Sequence, residues 1–327
     1  VELNNVKVEN IFTSCLGAVV SANEADVLLQ STEVTNCASS ASALIVHATG
    51  NSQVDLRGST HLHDNVSFSS SNHALLYMQS GSDIRVGQNP NDGTDDIVVE
   101  NNIYHGNGLI GSHNDSDPEH GDGGLEKYGY GSITINSGKF QGNRWPTFIK
   151  SNAWGCIVYV YRYVTFTMNG GSIENNYCGT AAIATFEMNP FEGGENGDPW
   201  KLHLNGGTIK NNVTYYCYNP EMDKGMGGKL TGIAFAQQGA STYIGEDMNI
   251  EGDLLILGGR IKNDAQVKGN VTVGEQKSIP ALAVGNGSFT GAGHYDVAGW
   301  IGTIVMSGNA VDLSDDSTDG YYLSNYG

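Results

Sequence analysis

The sequence predicts an all-β protein built as a solenoid of short stacked strands, and three observations predict it. A phrase recurs: Asn-Gly-Gly-Ser-Ile-Glu-Asn-Asn at Asn169–Asn176, Asn-Gly-Gly-Thr-Ile-Lys-Asn-Asn at Asn205–Asn212 and the looser Asn-Ser-Gly-Lys-Phe-Gln-Gly-Asn at Asn136–Asn143. Their first residues are 33 and 36 apart, a period that belongs to repeat architectures. The apolar residues alternate at period two, the strand signature, and no segment of convincing length carries a helical period. Glycine, at 45 of 327 residues, has roughly twice its usual share, as a turn-rich fold requires.

In chain order, residues 1–88 read as the first coils. Leu28–Asn36 (LLQSTEVTN) there resembles Val54–Asn65 (VDLRGSTHLHDN). A second strand type alternates with the first at Ala43–Ala48, Ala74–Met78, Cys156–Val164, Ala181–Phe186 and Ile233–Ala236. Asn89–Asp96 is a turn cluster, and Gly111–Gly131 a long polar excursion. Gly131–Asn176 and Lys201–Asn212 are the clearest coils. Each copy opens on an apolar run: Ile133–Ile135, Phe166–Met168, Leu202–Leu204, and Leu254–Leu257 before a further copy at Gly258–Asp264. A small pair then bends the chain, because glycine accepts backbone angles that side chains forbid. An apolar residue follows (Phe140, Ile173, Ile209, Ile261). Asn175, Asn211 and Asn263, two residues on, suit a left-handed turn. Asparagines stacked in successive coils can form an amide ladder. Asn189–Trp200 and Asn219–Lys229 are insertions, and Ile244–Gly274 returns to coils. Residues 1–275 are therefore assigned to coils. Residues 276–327, which lack the phrase, are assigned to last coils or a C-terminal cap over the exposed strand edge.

These residues carry a resemblance. The Gly-Gly-x-Ile-x-x-Asn phrase is similar to repeats in surface proteins and adhesins of Gram-positive gut bacteria, and to those of chlamydial polymorphic membrane proteins. The resemblance implies the right-handed parallel β-helix, the pectin-lyase-like fold, with loop insertions. It also implies a bacterial, extracellular, surface-attached protein, held through regions outside this chain.

Sixteen Lys and Arg stand against 35 Asp and Glu, a net charge of −19. That balance disfavours nucleic acid, which requires a basic footprint, and anionic membrane surfaces. No apolar run is long enough to span a membrane, so no membrane insertion is expected. Five cysteines without a CxxC spacing point away from zinc and redox motifs. The spacing of Cys15 and Cys37 recurs in Cys156 and Cys178, so these residues either stack in pairs or pack as small apolar groups.

Two constellations suggest sites. Asp115, Asp117, Glu119 and Asp122 are spaced oxygen ligands of the kind calcium takes, although the loop is not an EF-hand, its sixth position being His120 rather than Gly. The plainer reading is a solvated acidic loop, and a transition-metal site using His113 and His120 is the third. The strand Cys156–Val164 puts Tyr159, Tyr161 and Tyr163 on one side, with Trp154 and Trp200 near in sequence. Exposed rings of this kind stack on sugars or anchor a protein partner; the plainer reading is that an insertion folds over them. Val158, Val160 and Val164 would face inward, with Arg162 interrupting their row. His61 and His63 read as a ladder on a polar face rather than a metal site. Arg260-Ile261-Lys262 resembles the Arg-Ile-Lys of polygalacturonases, but neither Asn-Thr-Asp nor Gly-His-Gly accompanies it, and it falls in the slot of Ser172–Glu174 and Thr208–Lys210 of the repeat. The expected function is non-catalytic adhesion to a host or microbial glycan or protein. The alternative is a calcium-dependent polysaccharide lyase or glycoside hydrolase, supported by fold analogy alone.

Overall fold

The structure is a computed structural model. It describes residues 1–14, 17–40, 43–68, 74–79, 81–90, 93–112, 129–146, 154–186, 198, 200–214, 232–237, 240–256, 260–269, 271–273, 281–284, 288–289, 296–297 and 303–306, with backbone alone at 74, 260 and beyond 269. Every regular element among these residues is a strand. They form a 19-stranded sheet, a 10-stranded sheet and two short-strand ladders of four and two strands. Bridges from Arg144 to Ile103 and Tyr177 join the two ladders.

The chain visits these sheets in a fixed rotation. Val27–Gln30 and Glu33–Thr35 enter the large sheet, Ala38–Ser39 the short ladder and Ala43–Thr49 the 10-stranded sheet. Gln53–Arg57, His61–His63, Val66–Ser67 and Ala74–Met78 then repeat the tour, each lying parallel to its predecessor. Rotation and parallel pairing persist through Ile183–Phe186 and Val213–Thr214. Among the described residues the short ladders hold no strand beyond Val213–Thr214, while the other two sheets extend to Asp296–Val297 and Thr303–Met306. Register partners in neighbouring rounds are separated by 17 to 52 residues, so round length varies about threefold.

Period-two alternation becomes columns. Val34, Leu62, Val99, Phe140, Ile173, Ile209 and Ile250 stack in register. Val46, Leu76, Ile110, Val158, Ile183 and Phe235 stack likewise in the 10-stranded sheet. Both columns join one continuous buried cluster. Each such side chain contributes about 1.5–3 kcal/mol by leaving water.

The Asn-Asn dipeptides divide their work. The first residue takes the left-handed conformation: Asn36, Asp64, Asn101, Asn175 and Asn211 have φ between 52° and 58°, and Gly142 has φ 65°. The second turns inward. Asn65, Asn102, Asn143, Asn176 and Asn212 form a buried amide ladder, each Nδ2 donating to the next Oδ1 at 2.9–3.0 Å. The same Nδ2 groups also donate to the carbonyls of Val34, Leu62, Val99, Phe140 and Ile173. Each amide is thereby satisfied on both faces, which buried polar groups require. Cys37 holds the slot before Asn65 and donates its N–H to Asn65 Oδ1. A second amide line links Asn136, Asn169 and Asn205 where the repeat phrase begins. At the small pair, Gly171 has φ 79°, and a Cβ there would lie 2.6 Å from the Gly138 carbonyl oxygen; the close stacking of rounds excludes a side chain.

The copy at Gly258–Asp264 requires a correction. Ser172–Glu174 pairs with Thr208–Lys210, which pairs with Asn249–Glu251, then Gln266–Lys268. Arg260–Asn263 instead pairs with Ser241–Ile244, in the other column of the large sheet. Of the run Leu254–Leu257, read as the opening of that copy, Leu254–Ile256 falls in the strand Asp253–Ile256 of the 10-stranded sheet. Rounds here shorten, so a local phrase match no longer fixes the slot. Asn263 is buried and bonds locally, its side chain closing on Ala265. Cys37, Cys156 and Cys178 are buried as thiols. Burial pushes the Cys178 thiol up to about 12.

Candidate functional site

The 10-stranded sheet carries the predicted aromatic residues on its outer face. Val158 and Val160 point into the main core, as alternation demands. Tyr159 points out, in register with Tyr77, Gly111 and Ala184. The expectation of an exposed row is corrected here: Tyr159 and Trp154 are each only 2% exposed. They form a second apolar cluster with Cys156, Ala181, Ala184, Ile233 and Leu255, against which Tyr161 and Phe186 pack half-buried. The rings of Trp154, Tyr159, Tyr161 and Phe186 lie 5.3–6.4 Å apart, a spacing at which aromatic pairs attract.

Tyr163 does not continue that row. The strand ends at Tyr161, and Tyr163 sits at a corner with φ 50°. Its ring meets Tyr130 edge-on at 6.0 Å. The buried Lys201 places its ammonium 4.9 Å from the Tyr130 ring and 5.8 Å from that of Tyr163. The same corner carries Arg162 out of the interior row where alternation put it. Its guanidinium lies 5.3 Å above the Tyr161 ring, so its charge stays outside the core. Trp200 is half-buried, its backbone N–H donating to Asp198 at 2.9 Å. Three of the five predicted residues therefore meet, and two stand apart from that cluster. Asp115, Asp117, Glu119 and Asp122 lie outside the described residues.

Two polar groupings occupy the outside of the large sheet. His61 and His63 stack at 4.0 Å. His61 Nε2 lies 3.0 Å from Glu100, and His63 Nε2 lies 3.2 Å from Glu33. The hydrogen bond from His63 holds the Glu33 carboxyl below its usual range, and one from Gln141 does the same for Glu100. Among the described residues, no group of three or more His, Cys, Asp or Glu is arranged to hold a metal ion. Nearby, Asp55 lies 3.3 Å from Arg57 and 3.8 Å from Arg85. Asp83, one round on, accepts from Ser132 Oγ at 2.6 Å, and burial pushes its carboxyl up. Alternation placed these side chains outward, but not beside one another; register did.

The face that sequence reasoning missed is the outside of the short ladder. Its strands are two residues long, too short to show a period. In each, the second residue faces the core, and the first faces out. Phe12, Ala38, Val66 and Ile103 thereby form one outward line. The signal available was an apolar residue two positions past each left-handed Asn or Asp.

No helix among the described residues is long and apolar enough to cross a membrane. The chain matches no protein-family model, no curated protein and no solved structure. What the observations establish is an all-β chain of in-register parallel sheets.

Proposed function

We propose that this chain is a right-handed parallel β-helix that serves as a non-catalytic recognition scaffold on a bacterial cell surface, adhering to a glycan or protein. The observation that carries the reading is the rotation through three sheets with parallel pairing between successive rounds. Parallel strands need long crossovers, ordinarily helices; here described strands of the other sheets lie along the crossovers, which supports the solenoid reading. Such a scaffold repeats outward side chains at the strand spacing of about 4.8 Å, and repeated ligands suit repeated contacts. Handedness, compartment and partner class come from the resemblance of the Gly-Gly-x-Ile-x-x-Asn phrase. Calcium at Asp115, Asp117, Glu119 and Asp122 belongs to the same proposal, supported by their oxygen-ligand spacing.

A glycan and protein-ligand array, with a reducing-sugar assay on the same sample, tests the reading. Binding without release of reducing ends or unsaturated products supports it; turnover replaces it with the enzyme. The enzyme reading has one specific observation in its favour. Asp83, with its raised carboxyl, stands one round from Asp55 and its two arginines, and perturbed acids near charge partners mark candidate active sites.

A further inference from the structure

We propose that the outer face of the short-strand ladder binds a neutral, extended polysaccharide laid along the stacking direction. This inference rests on the recognition reading and gives it a surface separate from the Trp154–Tyr159 cluster.

Register turns one outward residue per round into a continuous line. Phe12, Ala38, Val66 and Ile103 are followed, past Arg144, by Tyr177 and Val213. Phe12 is 71% exposed and Ile103 37%, and Phe68, two residues beyond Val66, is 58% exposed. A single apolar side chain on a surface carries no message, but a contiguous patch does. Seven rungs at the strand spacing span about 30 Å.

Beside this line runs another, of amides. Asn10, Asn36, Asn101, Asn175 and Asn211 are exposed, all in the left-handed conformation, and Asn36 Nδ2 donates to Asn10 Oδ1. On a chain of net charge −19, the two lines hold one carboxylate, Asp64, and one cation, Arg144. The Arg144 guanidinium lies 4.8 Å above the Tyr177 ring.

A neutral pyranose chain presents apolar C–H faces and hydroxyls that donate and accept. The apolar line suits the faces. The amides, each with two donors and an acceptor, suit the hydroxyls. A polyanionic chain would meet a single cation and the field of the whole molecule. A second copy would bring −19 against −19. An extended peptide pairs with an open strand edge, and the interior strands of this ladder already have a neighbour on each side.

The test is affinity electrophoresis of the full chain in gels containing hydroxyethyl cellulose, glucomannan or polygalacturonate. Retardation by a neutral polymer, none by polygalacturonate, and roughly tenfold weaker retardation of a Val66→Asp, Ile103→Asp double variant with an unchanged melt are expected. If the double variant does not fold, Ile103→Ser carries the same expectation with a smaller loss. No retardation by any neutral polymer overturns the inference, and so does full retention by the variants. Loss of retention in Tyr161→Ala alone overturns it while leaving the recognition reading intact. A wild-type dimer in sedimentation that the double variant dissociates would make the face a self-interface and overturn it as well.

Discussion

Asn175 turns the chain with φ 58°, one of a column of corner residues that share this conformation across the rounds. The left-handed region costs an ordinary side chain about 1–2 kcal/mol, which Gly escapes and Asn partly offsets. Gly142 occupies the same slot one round earlier, so the site accepts loss of the side chain. Asn175→Gly is expected to leave the melt nearly unchanged and Asn175→Val to cost about 1–2 kcal/mol, measured by urea unfolding. The aromatic face gives a second contrast at this scale. Tyr159 is 2% exposed within an apolar cluster, so Tyr159→Ala should destabilise by about 3–5 kcal/mol, as deletion of a buried ring does. Tyr161 is half-buried at the edge of that cluster. If its ring anchors a ligand, Tyr161→Ala weakens binding by about 1–3 kcal/mol while shifting the melt far less than Tyr159→Ala. Equal melts for the two variants would remove the distinction between a core ring and a surface ring.

At the scale of the element, the amide ladder is one device spread over five rounds. Asn143 Oδ1 accepts from the backbone N–H and the Nδ2 of Asn102, and its own Nδ2 donates to the Val99 carbonyl and to Asn176. Asn143→Leu leaves those buried groups without partners, and each costs about 1–3 kcal/mol. A loss on the order of 3 kcal/mol or more is expected, with amide exchange quickening at Asn102. Ile209 sits in the adjacent core column; Ile209→Asp buries an unpaired carboxylate and is expected to unfold its round, read as lost exchange protection there. Both elements were legible in the sequence, because the Ile and the Asn pair recur together at Asn169–Asn176 and Asn205–Asn212. The left-handed residue and the inward residue follow from that phrase by local stereochemistry. The slot of Arg260–Asn263 was not legible: the pairing depends on how many residues the preceding round consumes, which no local pattern encodes. Nor was the burial of Tyr159. Alternation says which side of the sheet a ring faces, while what lies over that side is a long-range matter. The outward line from Phe12 to Ile103 was invisible for a third reason, since residues far apart in sequence become neighbours only through register.

At the scale of the whole molecule, the charge of −19 and the paired surface groups act in opposite directions as pH falls. Protonating carboxylates relieves self-repulsion. It also removes specific pairs. Hydrogen bonds from His63 to Glu33, from Gln141 to Glu100 and from Lys268 to Glu251 hold these three carboxyls below the usual glutamate range. A group whose folded pKa is depressed contributes stability that is present above its unfolded pKa and lost as pH falls through the folded one. His47 adds to the same side: burial beneath the stacked Tyr77 ring lowers its pKa, so the unfolded chain takes up its proton first. Its contribution fades from just below the ordinary histidine range, at higher pH than the glutamates. Asp83 works oppositely, since burial raises its carboxyl; its stabilisation is present in acid and lost as pH rises through that raised value. The exposed pairs are individually weak, so the buried His47 should set the first change. The expected melt is therefore flat near neutrality and begins to fall below the ordinary histidine value. His47→Gln, which cannot take up the proton, should flatten that first step and leave the steeper fall in the glutamate range. Thermal melts of parent and variant across that pH range decide it: superimposable profiles would mean that His47 titrates alike in the folded and unfolded chain.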